Sequence, residues 1–283
     1  MSLAMFGAFQ IPEWAIDASP ALQHILAKLH RVDEHIDLLE TEVNAYLEKN
    51  TGRELPNYDP TSEATFTIAN ENVVGDPRLG IITGEVLYQL RSTLDHIVCA
   101  LVTASGNTPT KVSQFPIFSV EPTTKDDINR YNKHLAGIND ADALAVIKGF
   151  QPYQQDAHQY VRYSADMFAV LQALSNFDKH RALLLHVVKV NRRVRMSLTD
   201  SQGLTAHIET SDNEAGMRGL EDLAAMIPES DKQRSLITYV AFEQFGASSD
   251  MPVVDGLRHL RDAFAPFLAE MWGCFASKRK GVP

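Results

Sequence analysis

Cysteine is scarce in this chain of 283 residues, with only Cys99 and Cys274 present. Two thiols cannot build a disulfide scaffold or a four-cysteine zinc site, and so few are expected of a chain kept in a reducing, cytoplasmic compartment. Long apolar runs are missing too: none approaches the roughly 20 residues that a membrane-crossing helix needs, so no membrane partner is expected. The opening M-S-L-A-M-F-G-A-F-Q-I-P-E-W carries no basic residue and meets Pro12 and Glu13 early, which does not read as a secretory signal. The glycine-rich signatures are absent as well. There is no G-x-x-x-x-G-K-[ST], no G-x-G-x-x-G and no G-x-S-x-G, so a phosphate loop, a dinucleotide fingerprint and a nucleophile elbow are all excluded. No cofactor is expected, and no repeat or low-complexity tract appears.

What is there is a composition suited to a packed core, with 45% apolar and 22% charged residues. The formal charge of −10 opposes indiscriminate binding to a polyanion. One stretch runs against that balance. Between Lys179 and Thr199 lie Lys179, Arg181, Lys189, Arg192, Arg193 and Arg195, with two histidines and no acid. Such a strip fits a local phosphate-binding surface, and it fits equally an exposed strand face with neutralising neighbours.

Periodicity predicts the elements. Leu22, Ile25, Leu29, Val32, Ile36, Leu39, Val43 and Tyr46 alternate three- and four-residue steps, giving a helix over 20–48 with Ser19 as N-cap and Pro20 at its first position. That seam is expected to pack inside the chain, with pairing to a second copy as the other use of such a pattern. A second long helix is expected from Pro77 to Thr103, a third from Asp156 to Arg181, and a fourth over 253–276, kinked by Pro266. Shorter helices are expected at 124–136, 140–149 and 214–226, and Q-F-P-I-F (114–118) is expected to be extended because Pro116 biases its predecessor away from helix. Segments 65–69, 187–190, 193–199, 204–210 and 235–242 read as strands. The expected fold is α+β: a single domain over 1–283, a bundle of about four long helices with a small antiparallel sheet inserted, and 185–246 as the β-rich insertion.

Two polar clusters interrupt these helices. L-R-S-T-L-D-H (90–96) puts Arg91, Asp95 and His96 on the second helix, and N-F-D-K-H-R (176–181) ends the third. On a 100° wheel centred on Leu90, Arg91 lies about 100° to one side and His96 about 120° to the other. Asp95 falls one turn after Arg91, at ion-pair spacing. The third helix's inward positions Tyr160, Tyr163, Met167, Leu171 and Leu174 lead to Asp178, with Arg181 beyond. A carboxylate there needs a cationic partner, and Arg91 and Arg181 are the candidates. A network of Arg91, Asp95, His96, Asp178 and Arg181, with His180 beside it, is therefore expected between the two helices. It either fixes helix register or supplies the acid, base and cationic stabiliser of phosphoryl chemistry.

R-S-T-L-D-H (91–96) resembles the R-x4-6-H motif of HEPN domains, helical bundles that often act as metal-independent ribonucleases in bacterial defence and toxin systems. The resemblance implies a homodimer, RNA as partner, His96 as general base or acid, and Arg91 stabilising phosphate charge. In this reading Lys179, Lys189, Arg192, Arg193 and Arg195 steer the RNA backbone. The wider order of L-R-S-T-L-D-H, Q-F-P-I-F, Q-P-Y and N-F-D-K-H-R resembles a set of uncharacterised bacterial proteins and brings no activity with it. The competing class is a non-enzymatic interaction protein with a structural polar network and the seam of the first helix as partner surface. A third reading places a metal among Asp95, His96, Asp178 and His180, although no E-x-x-H or H-E-x-x-H pair supports it. Cys99, one turn after His96, is a buried structural thiol or, less commonly, a nucleophile.

Overall fold

The computed structural model describes residues 19–50, 67–72, 77–154, 156–180, 185–199, 205–209, 233–242, 245–246 and 251–276. The fold is α+β, predominantly helical with an antiparallel sheet. Helix α1 spans Pro20–Asn50 and α2 Pro77–Ala104; α3 (Lys125–His134) and α4 (Ala141–Gly149) are short, and α5 runs Gln159–His180. The backbone clusters into two compact units. The first takes the chain up to Glu42, residues 76–184 and the segment from Phe242 onward; the second takes 43–75 and 185–241. The β-rich segment is thus grouped with the end of α1 and the residues after it, where the sequence pointed to an insertion over 185–246 in one domain.

Helix α1 forms where the seam says it should. Ser19 Oγ accepts from the Leu22 backbone N–H at 3.3 Å, the expected N-cap bond ahead of Pro20. Leu22, Ile25, Leu29, Val32, Ile36, Leu39 and Val43 are all buried. The seam is consumed within the chain and is no free face for a partner. Bidentate pairs flank it, from Arg261 to Asp33 (both bonds 2.7 Å) and from Arg258 to Glu40 (2.7 and 3.3 Å). Thr124 and Asp140 cap α3 and α4 through their side chains.

The C-terminal helix departs from expectation. It is two helices, α6 (Val253–Asp262) and α7 (Phe264–Ala276), with Ala263 between them. Pro266 has no N–H to give the carbonyl of Asp262, four residues back, and its ring crowds that same turn, so the chain breaks there instead of bending. Leu257, Leu260, Phe264, Phe267 and Met271 are buried as expected, but Cys274, not Phe275, completes the stripe. The stripe of α5 is also shifted. Tyr160 is exposed, and the buried positions are Ser164, Ala165, Phe168, Leu171, Leu174 and Ser175.

In the second unit, strand β1 is Thr67–Asn72, β2 Leu185–Thr199, β3 Thr205–Glu209 and β4 Gln233–Phe242. The two strands expected at 187–190 and 193–199 are one continuous strand, in which 186–190 pair with β1 and 195–199 with β3, both antiparallel. A bulge interrupts β1 between Ala69 and Glu71. The helix expected at 214–226 lies outside the described residues.

Candidate functional site

Helix α2 carries both candidate regions of the first unit, one toward each end. Leu87, Leu90, Leu94, Ile97 and Val98 form its buried stripe. Arg91 and His96 leave that stripe on opposite sides, as the wheel requires, and meet different neighbours.

Arg91 is almost enclosed, with 12% of its side chain exposed. Its Nη1 donates to Asp95 Oδ1 at 2.6 Å, its Nε to Gln172 Oε1 of α5 at 3.0 Å, and its Nη2 to the Phe115 carbonyl at 2.9 Å. Asp95 Oδ1 in turn accepts the Phe115 backbone N–H at 2.9 Å. The ion pair therefore holds both backbone polar groups of one residue, the N–H and the carbonyl of Phe115. That grip delivers Phe115, fully buried, into edge-to-face contact with Phe168 and Phe267 at centroid distances of 5.8 and 5.3 Å. A second polar residue holds the same segment: Gln151, also fully buried, donates to the carbonyls of Pro116 and Ile147 and accepts from the Phe118 N–H. Q-F-P-I-F lies outside any helix or strand, and Q-P-Y contributes a clasp of its own.

His96 belongs to another group. It is exposed and stacks on His24 of α1, with ring centroids 5.3 Å apart and planes 13° apart. Partial desolvation, then the nearby charges of Lys28 and His24, hold its imidazole below the usual histidine range, and Asp95 opposes them. Lys28 donates to Gln89 at 3.0 Å. Cys99 is half-buried and its thiol is pushed up by burial and by Asp95, the setting of a structural cysteine.

Asp178 does not reach Arg91. The α5 residue level with Arg91 is Gln172, and six residues further along, roughly 9 Å of helix rise, Asp178 lies against Gly84 instead. The two helices run antiparallel, so moving toward the end of α5 means moving toward the start of α2. A Cβ at Gly84 would lie 2.9 Å from both carboxylate oxygens of Asp178, so a side chain there would turn the carboxylate aside. Asp178 has no hydrogen bond or ion pair among the described residues, and burial raises its carboxyl above the usual range. It opens into a groove of about 550 Å³ lined also by Arg31, His35, Ile81, Glu85, Tyr88 and Gln89. Arg31 is engaged with Glu34 at 2.6 Å. His35 Nδ1 stands 3.4 Å from Glu85 Oε2 without hydrogen-bond alignment, so Glu85 is not locked. Ile81 and Tyr88 on the rim are 61% and 64% exposed.

The expected network is thus divided. Arg91 and Asp95 are together, His96 faces α1, and Asp178 faces Gly84. Arg181 lies outside the described residues, as does the side chain of His180. Lys179 is exposed on α5, whereas Lys189, Arg192, Arg193 and Arg195 lie on β2 in the second unit, where the register sets Arg195 opposite Glu209. The metal reading loses its geometry, since Asp95 and Asp178 have separate surroundings; among the described residues no three His, Cys, Asp or Glu are placed to hold an ion. Sequence reasoning missed Glu85, His35 and Gly84. The available signal was Gly84 itself: a glycine in a helix interior costs about 1 kcal/mol against alanine and marks a close approach. Among the described residues no helix is long and apolar enough to cross a membrane. Comparison with family models, curated proteins and solved structures yields no match to this chain.

Proposed function

We propose that the chain is a non-enzymatic interaction protein, in which Arg91 and Asp95 form a structural clasp and the groove beside Asp178 is the binding face. One observation carries this reading: all three guanidinium nitrogens of Arg91 already donate within the chain, two of them to groups that build the core. With three of its five N–H groups engaged and only 12% of the side chain exposed, the guanidinium does not swing out toward a phosphate without unpairing Asp95 or the Phe115 carbonyl. The exposed Ile81 and Tyr88 beside an unpartnered carboxylate give the groove what a recognition face needs, apolar contact and one directed charge.

A second reading keeps the HEPN-like resemblance and RNA as partner. It is favoured by His96 itself, an exposed imbalanced imidazole stacked on His24 and close to Lys28. Two imidazoles and an ammonium are a sufficient set for proton transfer and charge stabilisation at a phosphodiester. In this reading a second copy completes the site, and Lys179, Lys189, Arg192, Arg193 and Arg195 guide the RNA backbone.

Labelled RNA incubated with the purified protein in excess EDTA separates the two, run beside His96→Ala and the Arg91→Ala/His96→Ala double variant. The interaction reading expects intact RNA throughout and a double variant less stable than His96→Ala alone. Cleavage leaving 2′,3′-cyclic phosphate ends, lost in His96→Ala, overturns it in favour of the second reading. Cleavage that appears only when a divalent ion is restored overturns both in favour of a metal site.

A further inference from the structure

Three local costs meet at Asp178. Its carboxylate is partly desolvated with no partner among the described residues. It sits in the last turn of α5, which ends at His180, where the helix dipole disfavours negative charge. In this position it also occupies the space left by a glycine in the interior of α2, where a Cβ would lie 2.9 Å from both its oxygens. Among the described residues no cation answers Asp178: Arg91 of α2 is taken by Asp95, Gln172 and Phe115, and Arg31 of α1 by Glu34. Uncompensated charge of this kind, open to a groove, is compensated when a cation enters.

We infer that the groove between α1, α2 and α5 receives the basic side chain of a partner polypeptide, with Asp178 as the anchor of its charged head. Glu85, one helical position from Gly84 and only loosely held by His35, supplies a second carboxylate at the same opening. Ile81 and Tyr88, one turn to either side of Glu85 on the exposed face of α2, offer an apolar surface to the methylene stem and a ring face to the cation. These two side chains extend apolar surface past the groove itself, which fits a side chain carried on a polypeptide better than a free amine. The groove's volume of about 550 Å³ accommodates an arginine or lysine with part of its backbone. A chain with net charge −10 also draws a basic partner toward it before any contact forms.

This inference rests on the interaction reading and fails separately from it. The probe is a capped octapeptide with one arginine flanked by leucines, titrated into the full chain by calorimetry, beside the same peptide carrying citrulline, which keeps the shape and removes the charge. The expected result is binding of the arginine peptide, weakened at least tenfold by citrulline, by Asp178→Asn and by Gly84→Ala, and unchanged by Asp126→Asn, which removes an equal charge from exposed α3. Equal weakening by Asp126→Asn, or no binding of the arginine peptide, overturns the inference and leaves the interaction reading in place. Spermidine competing as tightly as the peptide overturns the assignment to a polypeptide. Only RNA cleavage in the assay above removes the interaction reading itself.

Discussion

The two polar regions of α2 use similar residues to opposite ends. At Arg91 and Asp95 every charge is answered: a 2.6 Å ion pair closes on the backbone N–H and carbonyl of Phe115, and a glutamine from α5 holds the third nitrogen. At Gly84 and Asp178, two turns earlier on the same helix, a carboxylate is brought close to the backbone and is left unanswered among the described residues. The first arrangement is what folding stability selects, since each polar group removed from water regains a partner. The second is unfavourable to the free chain, and stability alone gives no reason to keep it. On the interaction reading proposed above, the less conspicuous groove is therefore the functional candidate and the motif rich in catalytic residue types is its scaffold.

The sharpest way to break this comparison is Arg91→Ala. It strips Asp95 of its counter-ion and the Phe115 carbonyl of its donor while both stay largely enclosed, at an expected cost of about 3 kcal/mol. A drop in the denaturation midpoint at unchanged m-value measures it. A change below about 0.5 kcal/mol means the pair behaves as an ordinary surface ion pair and the clasp is not structural.

Asp178→Asn should act in the opposite direction and more weakly. Removing an unpaired charge from the end of α5 is expected to stabilise the free chain by about 0.5 kcal/mol at pH 7. The sign follows from linkage. The folded carboxyl titrates above its unfolded counterpart, so the folded state binds more protons between the two values and the penalty for Asp178 is complete only above the folded one. The gain from Asp178→Asn therefore shrinks as pH falls through that window toward the ordinary carboxylate value. Thermal melts of both proteins at pH 7 and pH 4 read it; a destabilised variant at pH 7 would reveal a partner for Asp178.

His96 gives the smallest effect. Its folded imidazole titrates below the unfolded one, so below the ordinary histidine value the unfolded state takes up more protons and the fold loses stability as pH falls through the window. His96→Gln should flatten that part of the stability profile between pH 7 and pH 5 while leaving stability near pH 8 little changed. An unaltered slope would mean that the stack on His24 and the charge on Lys28 do not act on His96 in solution.

Helix existence was legible because each helix advertises itself over short distances. The α1 seam, the Ser19–Pro20 start and the α2 stripe depend on spacings of three and four residues, and all appear as read. Strands 187–190 and 193–199 were legible as strand but not as one strand, because the two halves pair with different and distant segments, 186–190 with β1 and 195–199 with β3, which no local pattern reveals. The α5 face was misjudged at Tyr160 and Tyr163, whose large rings fit a buried stripe on pattern alone. In the fold Tyr163 instead uses its hydroxyl at the surface, 3.1 Å from the carbonyl and from Nδ1 of His259.

The sequence by itself determined where α1 and α2 run, which residues line their buried faces, and that Arg91 pairs with Asp95, because all of these are settled within a turn or two of helix. Tertiary structure decided what the pair holds and where Asp178 looks. Gln172 stands 81 residues from Arg91 along the chain, and it is the antiparallel register of α2 and α5 that puts them side by side. The same register slides Asp178 past Arg91 to Gly84. Interdigitating side chains across the helix interface set that register, and no spacing along a single helix encodes it.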